Sequence, residues 1–323
     1  MRGVQREMLM ATMLAGATLF DGAILVIDAT VPCPQPQTRE HLKALEILGI
    51  KNVVVVQNKV EVVPKEKVIE NYRQIREFLK DTMLRDAPII PISALHKANL
   101  DVLIETIEKY IPTPKRDPTK PLRALIARSF DVNKPGTPPE ELKGGVLGGS
   151  IVQGVAKVGD EIEIRPGIRI EKGGGRVEYE PLFTEIVSLR AGDADVEEAR
   201  PGGLVGFGTK LDPSLTKADS LAGSVIGKPG TLPPTLMSLD LEVSLFERAV
   251  GTVDMVKVDN IKPNEVLMIN AGTTTTLGIV TKASKDIVSI RLRRPVCAEP
   301  GTRVAISRQI SGRFRLIGYG IIR

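Results

Sequence analysis

Asn52-Val53-Val54-Val55-Val56-Gln57-Asn58-Lys59-Val60-Glu61 joins four consecutive valines to a short polar exit. A continuous β-branched run of this length reads as a strand buried on both faces, as in a parallel sheet. The exit carries residue types suited to a guanine edge. The Glu61 carboxylate accepts the N1 and N2 protons of guanine together, a donor pair that adenine lacks. Asn58 suits the O6/N7 edge, and the aliphatic stem of Lys59 lies on the base. Ile92-Ser93-Ala94-Leu95 closes a second apolar run about one strand–helix unit later, which sets a second loop beside the first. There the backbone N–H of Ala94 is expected to donate to O6.

Outward from this stretch, apolar strands alternate with amphipathic helices. Strands are expected over 22–28, 52–57 and 88–93, and helices over 39–48, 65–80 and 100–110. Thr38 is placed to cap the first helix, and Pro64 precedes the second. This βαβα order predicts a partial doubly wound parallel sheet with ligand loops at the carboxyl ends of its strands. Three strands make a narrow sheet, so further strands upstream or a bare edge are expected.

Ile111-Pro-Thr-Pro-Lys-Arg-Asp-Pro118 carries three prolines that forbid helix and suit an extended linker. Beyond it, short alternating runs punctuated by Gly144-Gly145, Gly148-Gly149 and Gly202-Gly203 predict a small β-barrel. Lys228-Pro-Gly-Thr-Leu-Pro-Pro234 then opens a second series, beginning with the perfect alternation of Leu239-Asp-Leu-Glu-Val-Ser-Leu245, which predicts another barrel. The fold class is thus α/β plus all-β, with units over 1–114, 115–228 and 229–323.

Hydrophobic residues make up 42% of the 323 residues and charged residues 26%, a composition that excludes disorder. No apolar run approaches the roughly 18 residues of a membrane span, and no signal-peptide core opens the chain, so a cytoplasmic protein with no membrane partner is expected. Cys33 and Cys297 lack metal or disulfide spacing. No Gly-x-x-x-x-Gly-Lys-Ser/Thr occurs, so nothing in the sequence wraps N–H groups around phosphates or holds Mg²⁺. From Arg291 to Arg323 there are eight arginines against one acid, Glu299. That bias is the footprint of an RNA or phosphate partner, or else a solvated barrel face or domain contact. His41 and His96 stand without a catalytic partner at suggestive spacing, and Cys33 reads as an inert loop thiol.

Pro36-Gln-Thr-Arg-Glu-His41 resembles a loop of the elongation factor Tu type of translational GTPase. Arg128-Ser-Phe-Asp-Val-Asn-Lys-Pro-Gly-Thr137, Leu142-Lys-Gly-Gly-Val-Leu-Gly-Gly-Ser-Ile151, Leu211-Asp-Pro-Ser-Leu-Thr-Lys-Ala-Asp219 and Ile306-Ser-Arg-Gln-Ile310 resemble, more closely, the gamma subunit of archaeal and eukaryotic translation initiation factor 2. The likeness runs from Glu7 to nearly the end of the chain. It implies a GTPase that carries methionylated initiator tRNA to the small ribosomal subunit within a heterotrimer. In that family alpha docks on the first barrel, beta adds a helix to the G domain, and GTP or GDP binds with Mg²⁺.

Asn58, Lys59, Glu61, Ser93, Ala94 and Leu95 match the family's guanine motifs, with Glu61 in place of the usual Asp. Arg6 stands where the family has its histidine, in Arg2-Gly-Val-Gln-Arg-Glu7 against Asp-x-Pro-Gly-His-Glu. The resemblance therefore implies an N-terminally truncated member with no catalytic residue or metal ligand of its own, inactive alone. Gly148 and Gly149, with Gly144 and Gly145, either let the backbone approach a tRNA acceptor end or make tight barrel turns. Arg165 and Arg169 on the first barrel, and Arg293, Arg294, Arg308, Arg313 and Arg315 on the second, are candidate tRNA phosphate contacts. Two other readings are a Tu-like or selenocysteine-specific elongation factor and a non-catalytic scaffold for tRNA or protein.

Overall fold

The computed structural model describes residues 19–173, 176–247, 256–284 and 286–323. Strands β1 (Ala23–Asp28), β2 (Val53–Asn58) and β3 (Ile89–Pro91) form a parallel sheet in that order. Alternate residues of a strand face opposite ways, and both faces of β2 are covered, which is why all four valines are buried. Val53 and Val55 pack with Leu25 and Ile27 beneath helices α1 (Pro36–Leu48) and α2 (Lys65–Leu79), through Leu42, Leu45, Ile75 and Leu79. Val54 and Val56 pack on the other face against Leu103 and Ile107 of α3 (Leu100–Tyr110).

Helix α1 starts earlier than the pattern suggests. Its first residue is Pro36, whose fixed φ suits the opening turn, and Gln35 is the cap residue without a side-chain cap bond. Thr38 therefore lies inside the helix rather than at its cap. Gly49, with φ of 70°, closes the helix in the left-handed conformation, a position that favours glycine. Along β1, Ile24 and Val26 remain exposed, and the outer edge of the strand pairs with nothing among the described residues.

The first barrel uses β4 (Arg123–Phe130), β5 (Val146–Gln153), β6 (Ala156–Lys157), β7 (Glu161–Lys172), β8 (Arg176–Ala191), β9 (Ala194–Val196), β10 (Glu198–Ala199), β11 (Val205–Thr209) and β12 (Val225–Gly227). The order β11-β5-β4-β12-β7-β8 closes on itself through β11–β8, with β9 appended to β8. Its core is Ile126, Leu147, Ile151, Ile162, Ile164, Ile186 and Phe207. The second barrel closes in the order β13 (Thr235–Leu245), β16 (Ile287–Cys297), β15 (Thr274–Ala283), β14 (Val266–Ala271), β17 (Arg303–Ile310) and β18 (Arg313–Ile322). Closure removes the exposed strand edges that short antiparallel sheets would otherwise present.

The three units touch through polar and apolar joints. Ala44 and Ile47 of α1 pack on Ala305 and Leu316 of the second barrel. Beside them Glu40 pairs with Arg315 at 2.9 Å, and Arg303 donates to the Ile47 carbonyl at 3.0 Å while lying over the Tyr319 ring. Between the barrels, Arg123 pairs with Glu299 at 2.9 Å and Thr274 Oγ1 donates to the Gly223 carbonyl at 2.6 Å.

Candidate guanine-reading and RNA-binding sites

Because β1, β2 and β3 are parallel and adjacent, Asp28, Asn58 and Ser93 all emerge at one edge of the sheet. That carboxyl edge is where open α/β sheets bind ligands. Asn58 Oδ1 accepts from the Lys59 N–H at 2.8 Å and from the Ala94 N–H at 3.1 Å. One carboxamide thus ties the two sequence motifs together. The Ala94 N–H, expected from sequence to face the purine O6, is engaged by Asn58 here. The Ser93 hydroxyl accepts from the His96 N–H at 3.1 Å and hydrogen-bonds the Glu61 carboxylate. Glu61 is held below the usual carboxylate range, first by its own backbone amide and then by Ser93, with His96 and Lys59 contributing charge. Leu95 is largely exposed at the rim.

Lys59, in left-handed backbone with φ of 65°, reaches back to Asp28 Oδ2 at 2.6 Å. Asp28 also accepts from the N–H and hydroxyl of Thr30, at 2.9 and 2.7 Å. Sequence reading overlooked Asp28 because it appears only as the polar end of an apolar strand. Desolvation raises its pKa, but the Lys59 and Thr30 bonds outweigh that and hold it at about 2, against an ordinary 3.8. A depressed carboxylate stabilises the fold above its unfolded pKa, and this contribution fades as pH falls from about 4 through 2. At a pair this exposed, screening leaves about 1 kcal/mol. Asp28→Asn is expected to remove that much at pH 7 and to flatten the acid limb of a urea-unfolding pH series.

Below this edge, buried Gln57 donates to the Val68 carbonyl at 2.9 Å and to Asn71 Oδ1 at 2.8 Å, and Asn71 donates to the Val31 carbonyl at 2.9 Å. These bonds anchor the loops after β1 and β2 to α2. Cys33, near the same bracket, has its thiol pushed up to about 11 by burial, which keeps it unreactive. The two loops of the candidate guanine site are therefore brought together, with Asn58 linking them. The Lys59 ammonium is held by Asp28, and no cluster of three or more metal-ligating side chains occurs among the described residues. Arg6 lies outside the described residues.

The first barrel carries a second arrangement. Cross-strand register aligns Arg128 of β4, Gly148 of β5, Gly206 of β11 and Arg190 of β8 in one row on the outer wall. The atoms nearest a Cβ built on Gly148 would be the Arg128 Cβ at 3.6 Å and the Phe130 ring at 3.7 Å, and one on Gly206 would meet only Arg190, at 3.8 Å. The result is an open two-glycine floor between two arginines, with the half-exposed Phe130 ring alongside. Asp219 braces one end, accepting from Arg128 Nε and from the Ser129 N–H, each at 2.9 Å. Two distant motifs, Arg128 to Thr137 and Leu211 to Asp219, meet at this carboxylate.

The other glycines act differently from either sequence reading. None of them is a turn residue: Gly149 lies inside β5, and Gly144 and Gly145 lie in the extended segment that leads into it. A Cβ on Gly149 would lie 2.1 Å from the Leu125 carbonyl oxygen, and one on Gly144 1.8 Å from that of Thr209. They allow close approach of barrel segments to one another.

Most of the candidate arginines also have internal work. Arg165 pairs with buried Glu163 at 2.5 Å and donates to the Pro233 carbonyl at the joint between barrels. Arg294 donates to the Ala222 carbonyl at 2.8 Å, across the same joint. Arg308 pairs with Glu265 and caps the Asp259 carbonyl at 2.9 Å, while Arg315 holds Glu40 of α1. These four guanidinium groups are structural because folding supplies them with carboxylates and carbonyls that a sequence count of charge does not show. Arg169 pairs with Glu171 on the exposed β7–β8 ribbon, Arg313 is exposed at the start of β18, and Arg293 is exposed on the outer wall of the second barrel.

An α/β unit with the Asn58-Lys59-Val60-Glu61 and Ser93-Ala94-Leu95 loops at its carboxyl edge, followed by two closed six-stranded barrels, is the architecture of a translational GTPase of the elongation factor Tu type. Residues 8–113 match the family model described as Elongation factor Tu GTP binding domain, and residues 144–227 match Elongation factor Tu domain 2. Residues 237–322 match Initiation factor eIF2 gamma, C terminal. Translation initiation factor 2 subunit gamma of Pyrococcus horikoshii is 67% identical over 317 residues, spanning 98% of this chain and 77% of that protein. The same subunit of Methanocaldococcus jannaschii is 58% identical over 316 residues, again covering 98% of this chain and 77% of the relative. The chain belongs to the translation initiation factor 2 gamma-subunit family. Among solved structures, the apo elongation factor SelB of Methanococcus maripaludis superposes with a TM-score of 0.75 at 21% identity, covering 98% of this chain and 68% of SelB; this likeness concerns the fold. No described helix is long and apolar enough to cross a membrane.

Proposed function

We propose that this chain binds methionylated initiator tRNA through the outer wall of its first barrel. As in the family it resembles, it would deliver that tRNA in the cytoplasm to the small ribosomal subunit, with alpha and beta subunits as partners. The observation that carries this reading is the row Arg128–Gly148–Gly206–Arg190. A glycine floor admits an RNA backbone or base edge to the strand, the flanking cations suit phosphate, and Phe130 offers a face for a base to stack on. The 67% identity to initiation-factor gamma subunits, against 21% to SelB, favours initiation over the elongation reading.

Nucleotide control is the part this chain does not supply alone. Guanine is read by Asn58, Lys59, Glu61 and the Ser93-Ala94-Leu95 loop, whereas GTP phosphates and Mg²⁺ need groups absent from the 323 residues. The isolated chain is accordingly a tRNA-binding scaffold that does not hydrolyse GTP.

Filter binding of methionylated initiator tRNA tests the site. Gly206→Val fills the floor where only Arg190 is near, so a loss of at least tenfold in affinity with an unchanged melting temperature is expected. Arg190→Ala is expected to weaken binding and to lower the salt slope by about 1. Wild-type affinity in both variants would rule the site out.

A further inference from the structure

The outer wall of the second barrel carries a patch that neither the nucleotide loops nor the first-barrel row uses, although it includes Arg293, a candidate phosphate contact from sequence. Register pairs Val266 of β14 with Ile279 of β15, and Ile279 with Arg291 of β16. One pleat along, Met268 pairs with Leu277, and Arg293 follows Arg291 on the same face of β16. Val266 and Ile279 are 46% and 44% exposed, and Met237 of neighbouring β13 is 42% exposed. Each row therefore runs aliphatic, aliphatic, arginine. The side chains of Arg291 and Arg293 make no hydrogen bond or ion pair among the described residues, unlike those of Arg294, Arg308 and Arg315.

A patch of aliphatic side chains and Met bordered by free Arg has the composition of a protein interface rather than an RNA one. It contains no aromatic platform for a base, and its apolar half gives phosphates nothing to bond. The barrel is closed, so it offers side chains and no strand edge. Arg291 and Arg293 are two residues apart on a strand, about 7 Å, close to the roughly 6 Å between residues four apart on a helix. We propose that the β14–β15–β16 wall docks an acidic amphipathic helix of a partner protein. The helix's apolar stripe lies over Val266, Ile279, Met268 and Leu277, and two of its carboxylates, four residues apart, pair with Arg291 and Arg293.

The test uses the full chain and defined probes. These are a fluorescein-labelled 18-residue helical peptide with a leucine stripe and glutamates four residues apart along one flank, the same peptide with lysines there, and a labelled single-stranded RNA 12-mer. Fluorescence anisotropy is expected to show the acidic peptide binding at least tenfold more tightly than the lysine peptide. Ile279→Ser should weaken it about tenfold, and Arg291→Glu/Arg293→Glu should reverse the preference so that the lysine peptide now binds. Because these positions lie on the surface, the charge-swapped pair also reports that the barrel remains folded. Indifference of the acidic peptide to both variants, or tighter binding of the RNA that the charge reversal abolishes, would overturn the assignment. Either result leaves the tRNA site on the first barrel to stand or fall by its own variants.

Discussion

Gly149→Val is expected to unfold the first barrel, with a loss of at least about 3 kcal/mol, beyond the usual range for overpacking. The new Cβ would lie 2.1 Å from the Leu125 carbonyl oxygen and 3.0 Å from the Ile126 Cα. Both atoms are backbone of β4, so no rotamer relieves the clash, and β4 is bonded in turn to β5 and β12. Parting β4 from β5 would expose Ile126, Leu147 and Ile151, three fully buried side chains of the core. A drop of about 10 °C or more in melting temperature follows for a unit of this size. Gly148→Ala is the matched comparison. The atoms nearest its Cβ are side-chain atoms at 3.6 Å or beyond, and stability within about 0.5 kcal/mol of wild type is expected. A tolerated Gly149→Val would mean that the glycine pair serves a ligand rather than the barrel wall.

Arg165→Ala is expected to destabilise the chain by about 3 kcal/mol, a larger effect than any exposed phosphate contact would show in the absence of RNA. Glu163 has 2% of its side chain exposed, and its two oxygens are satisfied by Arg165 Nε at 2.5 Å and the Gly230 N–H at 2.8 Å. Removing Arg165 leaves a buried carboxylate with one partner, which typically costs 3–5 kcal/mol; the 27% exposure of the arginine places this case near the lower end. Glu163→Leu combined with Arg165→Met removes both charges, and most of the stability should return. Urea unfolding checks the series. If Arg165→Ala instead kept its stability and lost only tRNA affinity, Arg165 would be a phosphate ligand and not part of the joint between barrels.

The architecture was readable because its signals are local. Four valines that must be buried on two faces, helices at the 3.6 period and barrel strands at period two each follow from a few adjacent residues. That the two candidate guanine loops lie side by side was legible for the same reason, since Asn58, Lys59 and Glu61 fall within four residues after one strand and Ser93 follows the next. Within β7, Pro166-Gly167 is a pair that ordinarily signals a turn. The chain instead shifts register between Ile164 and Ile168 and continues to Lys172. Gly167, with φ of 84°, passes so close to the Glu180 carbonyl that a Cβ would sit 1.8 Å from it. The arginines were the hardest to assign. A run of cations looks alike in sequence whether each meets Glu40, Glu265, a carbonyl or solvent, and those partners lie tens to hundreds of residues away. The Arg128–Gly148–Gly206–Arg190 row was invisible for the same reason, because it exists only once β4, β5, β11 and β8 are in register.

The most direct test is the affinity of the isolated chain for methionylated initiator tRNA, measured with and without GTP at fixed salt. Binding that falls steeply as salt rises, and that GTP leaves unchanged within about twofold, is expected of a chain that holds tRNA on its first barrel and has no phosphate-sensing loop. Absence of tRNA binding, or a tenfold tightening by GTP, would contradict that account.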